Sequence, residues 1–321
     1  MSGRMDCFGA THIGRMRDSN EDQFMISDIA KSMRVHQTSL SLSHHTRLFG
    51  DTQGKLLLVA DGIGGHEAGE RASQLVIDGI VDYTLNRLHW FMFGDCSTDE
   101  SFEEELKRAL IDCQSRIDRE VAAIPSHRGM GSTLTMGYIV WPRLFIVHVG
   151  DCRCYLFRGG VLKQLTRDHT LADLMSHSEK GHVEFADVVD KSSQDQSNVL
   201  WNAIGGGSGH VPVPDSMVLN LEMGDTLLLC SDGLNKHLSA KQIQEWLSMK
   251  TTSEQKCDAL ISAANDAGGS DNVTVIVSRF SDEEISETAF SEVEESDLLS
   301  DTVDFEKPTD VSSTFAHAAV S

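Results

Sequence analysis

Four apolar runs in this chain begin or end on an aspartate, and that pattern constrains the fold more than any other feature. Leu56-Leu57-Leu58-Val59-Ala60 runs into Asp61-Gly62, LFIVHVG into Asp151 and TLLLCS into Asp232-Gly233, while Asp271 opens SDNVTVIV. Short continuous apolar runs bounded by turn residues fit strands buried on both faces. One Asp-Gly at a strand end is an ordinary turn former. Four acids so placed gain a common cause if the strands are neighbours and the carboxylates converge. Each like-charged pair at about 4 Å then costs about 4 kcal/mol at an effective dielectric of about 20. Either the acids take up protons or cations sit among them. Carboxylates without an accompanying His/Cys set favour hard, oxygen-seeking ions, Mg2+ or Mn2+, over zinc.

Between these runs the hydrophobic period changes. After Asp61, Ala72, Val76, Ile80 and Tyr83 recur on one helical face. A second helix is expected from Ser101, with Glu104 completing a capping box and Phe102, Leu106, Leu110, Cys113 and Ile117 as its stripe; Pro125 lies past its end. From Gly129 to Thr166 the text reads as consecutive strands, with Trp141-Pro142-Arg143 and Arg158-Gly159-Gly160 as turns, so their pairing is antiparallel. Residues 170 to 200 are polar and weakly periodic, too long for an ordinary connection, and read as a flap. Two further helices follow TLLLCSDG, one capped by Ser239 with Gln242, the other carrying Cys257, Leu260, Ile261 and Ala264 before Gly268-Gly269.

The 321 residues carry a formal charge of −22. That disfavours nucleic acid and anionic membrane as partners, since both require a basic footprint. Residues 281 to 321 hold 12 Asp or Glu against one Lys, so this stretch carries −11 and the remainder −11. The few apolar residues of that tail cannot offset ordering entropy, and it is expected to be a disordered extension of a domain spanning 5 to 280. Its bland role is solubility; a docking or autoregulatory role is the alternative. Seven cysteines without a CxxC pair fit free thiols in a reducing cytoplasm. No stretch reaches the length of about 18 apolar residues that a bilayer requires.

Near the N-terminus, GRMRDSNEDQFMIS places Arg17 a few residues before Glu21 and Asp22, just ahead of an apolar strand. An arginine beside a metal cluster suits phosphate, through its planar fork of donors. Together the segments RMRDSNEDQF, VADGIGGHEAGERAS, GMGSTLT, HVGDCRCYLFRGGVLKQLTRDHT, LLLCSDGLNKHLS and GGSDNVTVIV resemble the ordered motifs of the type 2C (PPM) metal-dependent serine/threonine protein phosphatases, bacterial branch. They span nearly all of residues 5 to 280.

The resemblance implies an α+β fold, a four-layer αββα sandwich of two antiparallel sheets packed face to face between helices. It further implies two or three Mn2+ or Mg2+ ions at one end. On the family pattern Asp61 bridges two ions, Gly62 offers a backbone carbonyl, Asp232 and Asp271 complete one ion and Glu21 serves the other. Asp151 matches the acid that holds a third, looser metal, Arg17 matches the phosphate-binding arginine, and Asp22 is an acid behind the ligands that orients water. The implied reaction is hydrolysis of phosphoserine and phosphothreonine in proteins by direct attack of an activated water. Phosphorylated proteins are then the substrates, with a cognate serine/threonine kinase as a candidate partner. The alternative is a phosphoprotein-binding pseudophosphatase, against which the intact acid set argues.

This chain departs from the pattern in places. Ile63 stands where animal relatives carry a histidine after the Asp-Gly, and His66, three further on, reads as a turn or helix-start residue, which leaves the leaving group's proton source open. Cys152 stands where serine is usual, and Cys154 shares its strand face. Both read as small buried residues, with oxidation beside Asp151 as the sharper possibility. His169 reads as a structural hydrogen-bond partner, and Gly131, Ser132 and Thr133 as a close-packed strand start without catalytic duty.

Overall fold

Burial explains the continuous apolar runs. In the computed structural model, which describes residues 4–35, 37, 47–65, 67–87, 99–178, 199–207 and 211–281, strand β3 (Arg47–Ala60) lies inside a sheet covered on both sides. Its residues Leu56, Leu58 and Ala60 face a core shared with helices, while Leu57 and Val59 face a second core between two sheets. The same division holds in β12 (Thr226–Cys230), where Leu228 and Cys230 pack toward helices and Leu227 and Leu229 toward the opposing sheet. A strand with two apolar environments cannot alternate apolar with polar, so the run is unbroken.

One sheet has the order β1-β13-β12-β8-β9 and the other β11-β7-β6-β3-β2, every pairing antiparallel. The strands are β1 Arg4–His12, β2 Gln23–Arg34, β6 Leu134–Val140, β7 Arg143–Val149, β8 Arg153–Arg158, β9 Val161–Gln164, β11 Asp215–Asn220 and β13 Val273–Ser281. Helices α1 (Glu67–Asn86) and α2 (Asp99–Ala123) cover one sheet, and α5 (Ala240–Ser248) and α6 (Ser253–Asp266) the other. Apolar layers between helix and sheet, sheet and sheet, and sheet and helix give the four-layer sandwich. A small third sheet, β10 (Ile204–Gly205), β5 (Gly131–Ser132) and β4 (Gly62–Ile63), lies just past the end of β3.

The helical stripes sit as their periodicity requires: Ala72, Val76, Ile80 and Tyr83 are buried on α1, and Leu110, Cys113 and Ile117 on α2. The Ser239/Gln242 capping box is formed, and α6 carries a second, Thr252 with Gln255, that the sequence reading passed over. Two expectations need correction. Helix α2 already includes Asp99, so Ser101 lies inside its first turns and is not its cap. The polar segment from 170 begins with a helix, α3 (Leu171–Ser178), because Leu171, Leu174 and Met175 do recur at helical spacing. The rest of that flap, residues 179–198, lies outside the described residues, as do His66, Cys96 and 282–321. By its contacts the chain divides into Met1–Asp282 and Glu283–Ser321.

Candidate metal centre

The topology sends four chain segments to one end of the sandwich. There β3 gives way to Asp61, β7 to Gly150-Asp151 and β12 to Ser231-Asp232, while Asp271 precedes β13. Oxygens of Asp61, Asp151 and Asp232 all lie within 4.8 Å of one another. They open on a cavity of about 460 Å3 also lined by Arg17, Glu21, Gly62, Thr133, Trp201, Lys236 and Asp271. Of the metal-ligand and phosphate-handling candidates named from the sequence, Asp22 alone stands behind the lining, 3% exposed.

Main-chain hydrogen bonds fix Asp61 and the segments that carry Glu21 and Asp151. The Asp61 amide donates to Thr133 Oγ1 at 2.9 Å, and its carbonyl accepts from the Thr133 amide at 2.9 Å and from Ser132 Oγ at 3.0 Å. Thr133 thus does more than permit close packing. The segment carrying Arg17, Glu21 and Asp22 is clamped by Asn272, whose Nδ2 donates to the carbonyls of Ile13 and Ser19 at 2.9 Å and whose Oδ1 accepts from the Glu21 amide at 2.8 Å. A Cβ on Gly69, in the first turn of α1, would lie 2.0 Å from Glu21 Oε2, and one on Gly62 would lie 2.1 Å from the Gly69 carbonyl oxygen. Glycine at both positions lets strand end, helix start and Glu21 meet. His169 holds the Asp151 turn: its Nδ1 accepts from the Gly150 amide at 3.1 Å while Nε2 faces Asp215 at 3.1 Å.

Charge is crowded here, and the ionisation of the acids records it. Burial pushes Asp151 up to about 8, with the charge of Asp232 adding to it and Lys236 opposing. Burial also raises Asp61 well above the ordinary carboxylate range, with Asp22, Asp232 and Asp151 contributing, and raises Asp232 despite Lys236. Asp22 is pushed up to about 7 by burial, against hydrogen bonds from Ser231 and Thr274. Asp271 is the exception: burial would raise it, but the Lys236 hydrogen bond and charge, then Arg17, hold it below the usual value. Asp22 Oδ1 and Asp232 Oδ1 are buried without a hydrogen-bond partner among the described residues. Buried oxygens of this kind demand a proton or a cation. An all-oxygen donor set with partnerless carboxylate atoms fits Mg2+ or Mn2+.

Cys152 and Cys154 lie fully buried in the layer between the sheets. Burial, then the charge of Asp61, pushes the Cys152 thiol well above the ordinary range, and it contacts Thr133 Oγ1 at 3.1 Å. Full burial places both among the packing groups of that layer. Sequence reasoning missed Asn272, Ser231, Gly69 and Lys236. The first three leave no signal short of the folded geometry. Lys236 does, standing four residues after Asp232 at helical spacing.

A two-sheet sandwich with an oxygen-only acid cluster and an arginine at one end defines a metal-dependent phosphoesterase class. Comparison with known proteins agrees. The family model described as protein phosphatase 2C matches residues 43–273. Serine/threonine phosphatase stp of Listeria monocytogenes is 33% identical over 222 residues, covering 69% of this chain and 83% of that protein. The crystal structure of the Mycobacterium tuberculosis serine/threonine phosphatase PstP/Ppp superposes with a TM-score of 0.64 at 30% identity, over 86% of this chain and 99% of that one. The catalytic domain of PstP in complex with two manganese ions gives 0.65 at 29% identity, over 88% and 100%. The chain belongs to the protein phosphatase 2C family. It is a metal-dependent serine/threonine protein phosphatase.

Proposed function

We propose that Asp61, Gly62, Glu21, Asp151, Asp232 and Asp271 hold the divalent ions, that Arg17 binds the substrate phosphoryl group and that Asp22 positions solvent. One observation carries this reading: the oxygens of Asp61, Asp151 and Asp232 converge within 4.8 Å in a cavity that Arg17 also lines. When bound, the ions supply Lewis-acid activation of a water nucleophile near neutral pH. The chain's own residues do the rest. Arg17, with its side chain half exposed and paired to Asp271 at 2.8 Å, can turn its fork of donors to phosphoryl oxygens at the cavity mouth and balance charge there. Asp22 accepts from Ser231 Oγ at 2.7 Å through one oxygen, while the other has no partner among the described residues, so it can take a hydrogen bond from water between the acids. Thr133, Asn272 and His169 hold the acids in place through the main chain.

The substrates are phosphoproteins, and a serine/threonine kinase acting in the same compartment is the natural counterpart. A cytoplasmic location is supported by six free cysteines among the described residues. No described helix is long and apolar enough to cross a membrane. The deciding assay measures phosphate release from a phosphothreonine peptide. Release is expected to require Mn2+ or Mg2+, to stop with chelator and to vanish in Asp232→Asn. Full activity of Asp232→Asn would remove the proposed ligand set.

A further inference from the structure

The acid cluster contains a cation of its own. Lys236, four residues after Asp232 and on the same face of the short helix α4 (Asp232–Asn235) as it ends, reaches back so that Nζ contacts Asp232 Oδ2 and Asp271 Oδ2, the latter at 2.7 Å. Its side chain is 26% exposed and lines the cavity. Asp271 is fully engaged: Oδ1 accepts from Arg17 at 2.8 Å and from the Asn272 amide at 3.0 Å, while Oδ2 is held by Lys236. Asp232 is divided, with Oδ2 on Lys236 and Oδ1 buried without a partner among the described residues.

We infer that Lys236 competes with a divalent ion for Asp232 Oδ2 and Asp271 Oδ2, and so sets the metal affinity of the centre. The inference rests on Asp232 and Asp271 being ligands, as proposed above. An ammonium and a metal ion cannot share one carboxylate oxygen at contact distance without strong repulsion, even when partly screened. Loading through these two oxygens therefore requires the ammonium to leave both. Arg17 is a weaker rival, because its side chain is 49% exposed, against 26% for Lys236, and its pair with Asp271 is through Oδ1. By supplying positive charge where acids crowd, Lys236 also supports the fold when little metal is available, at the expense of tight metal binding.

The test is calorimetric Mn2+ titration of the full chain at neutral pH, alongside thermal melting with and without Mn2+. Lys236→Gln and Lys236→Met are expected to bind Mn2+ at least about tenfold more tightly than wild type, and to melt lower in chelator but gain more from Mn2+. Lys236→Arg, which keeps the charge, is expected to stay near wild type. Asp232→Asn controls for the ligand assignment and is expected to lose affinity. Unchanged or weaker Mn2+ binding in both folded neutral variants, with Asp232→Asn impaired, overturns the role of Lys236 alone. If Asp232→Asn binds as wild type does, the ligand assignment falls first and the inference with it.

Discussion

Neutralising one acid of the cluster is expected to stabilise the protein in chelator and to weaken its response to metal. Asp151 is the best place to look, being 8% exposed and pushed up to about 8. An aspartate in the unfolded chain ionises near 3.9. The folded state thus binds the proton more tightly, and linkage makes stability fall as pH rises from about 4 through about 8. At about 1.36 kcal/mol for each pH unit between those points, the loss approaches about 5 kcal/mol at a pH of about 7.5 and about 2 kcal/mol at about 5.5. Protons are shared among neighbouring acids and Lys236 relieves some of the charge, so about half of this is the realistic yield. Asp151→Asn keeps the shape and removes the charge. In chelator at about pH 7.5 it is expected to melt about 5–10 °C above wild type, and the gain is expected to shrink toward about pH 5.5. With saturating Mn2+ the order is expected to reverse, because on the proposed ligand set wild type gains an ion contact that the variant lacks. The assay is a melting series across pH, with chelator and with Mn2+. A variant that melts below wild type in chelator, or whose gain is the same at both pH values, would show that charge crowding is not what burdens this end of the fold.

Arg17→Ala is expected to lower turnover on a phosphopeptide by about 100-fold while the fold melts normally, since the side chain is half exposed; steady-state kinetics checks it. Gly69→Ala places a methyl 2.0 Å from Glu21 Oε2, and displacing that carboxylate is expected to cost about 10- to 100-fold in Mn2+ affinity by calorimetry. His148 is held neutral, pushed down to about 3 by burial and then by His169. Its folded ionisation lies below the usual 6.5, so its contribution is present above about 6.5 and is lost as pH falls toward about 3. His148→Gln is expected to make the acid limb of the melting curve shallower.

The sheets were legible because their strands are buried twice over. A run such as Leu56 to Ala60 admits few other readings, and the glycines and aspartates after it mark where the chain turns. The acids that close the runs were legible for the same reason, as polar residues at the end of an apolar sentence have nowhere else to go than the sheet edge. What holds them was not. Asn272 reaches three partners up to 259 positions away, and Thr133 bonds both the amide and the carbonyl of Asp61 across 72. Such contacts depend on how the two sheets stack, which no local window contains. Helix α3 was missed for a different reason: its single apolar stripe is only two turns long, and a polar continuation diluted it.

The clamps and the acids make one argument about why this end of the sandwich can carry so much charge. Carboxylates on mobile loops would relax apart and lose the field that attracts a cation. Here Asp61 follows directly on fully buried strand residues, Asp232 begins a turn packed on the sheet core, and main-chain hydrogen bonds leave the acids no route of retreat. The stability of two cores is thereby converted into unfavourable electrostatic energy at a single site. That energy is relieved when positive charge enters, as protons, as Lys236 and Arg17, or, on the proposed ligand set, as divalent ions from solution. On that proposal, metal affinity is a difference between competing ways of neutralising the same oxygens.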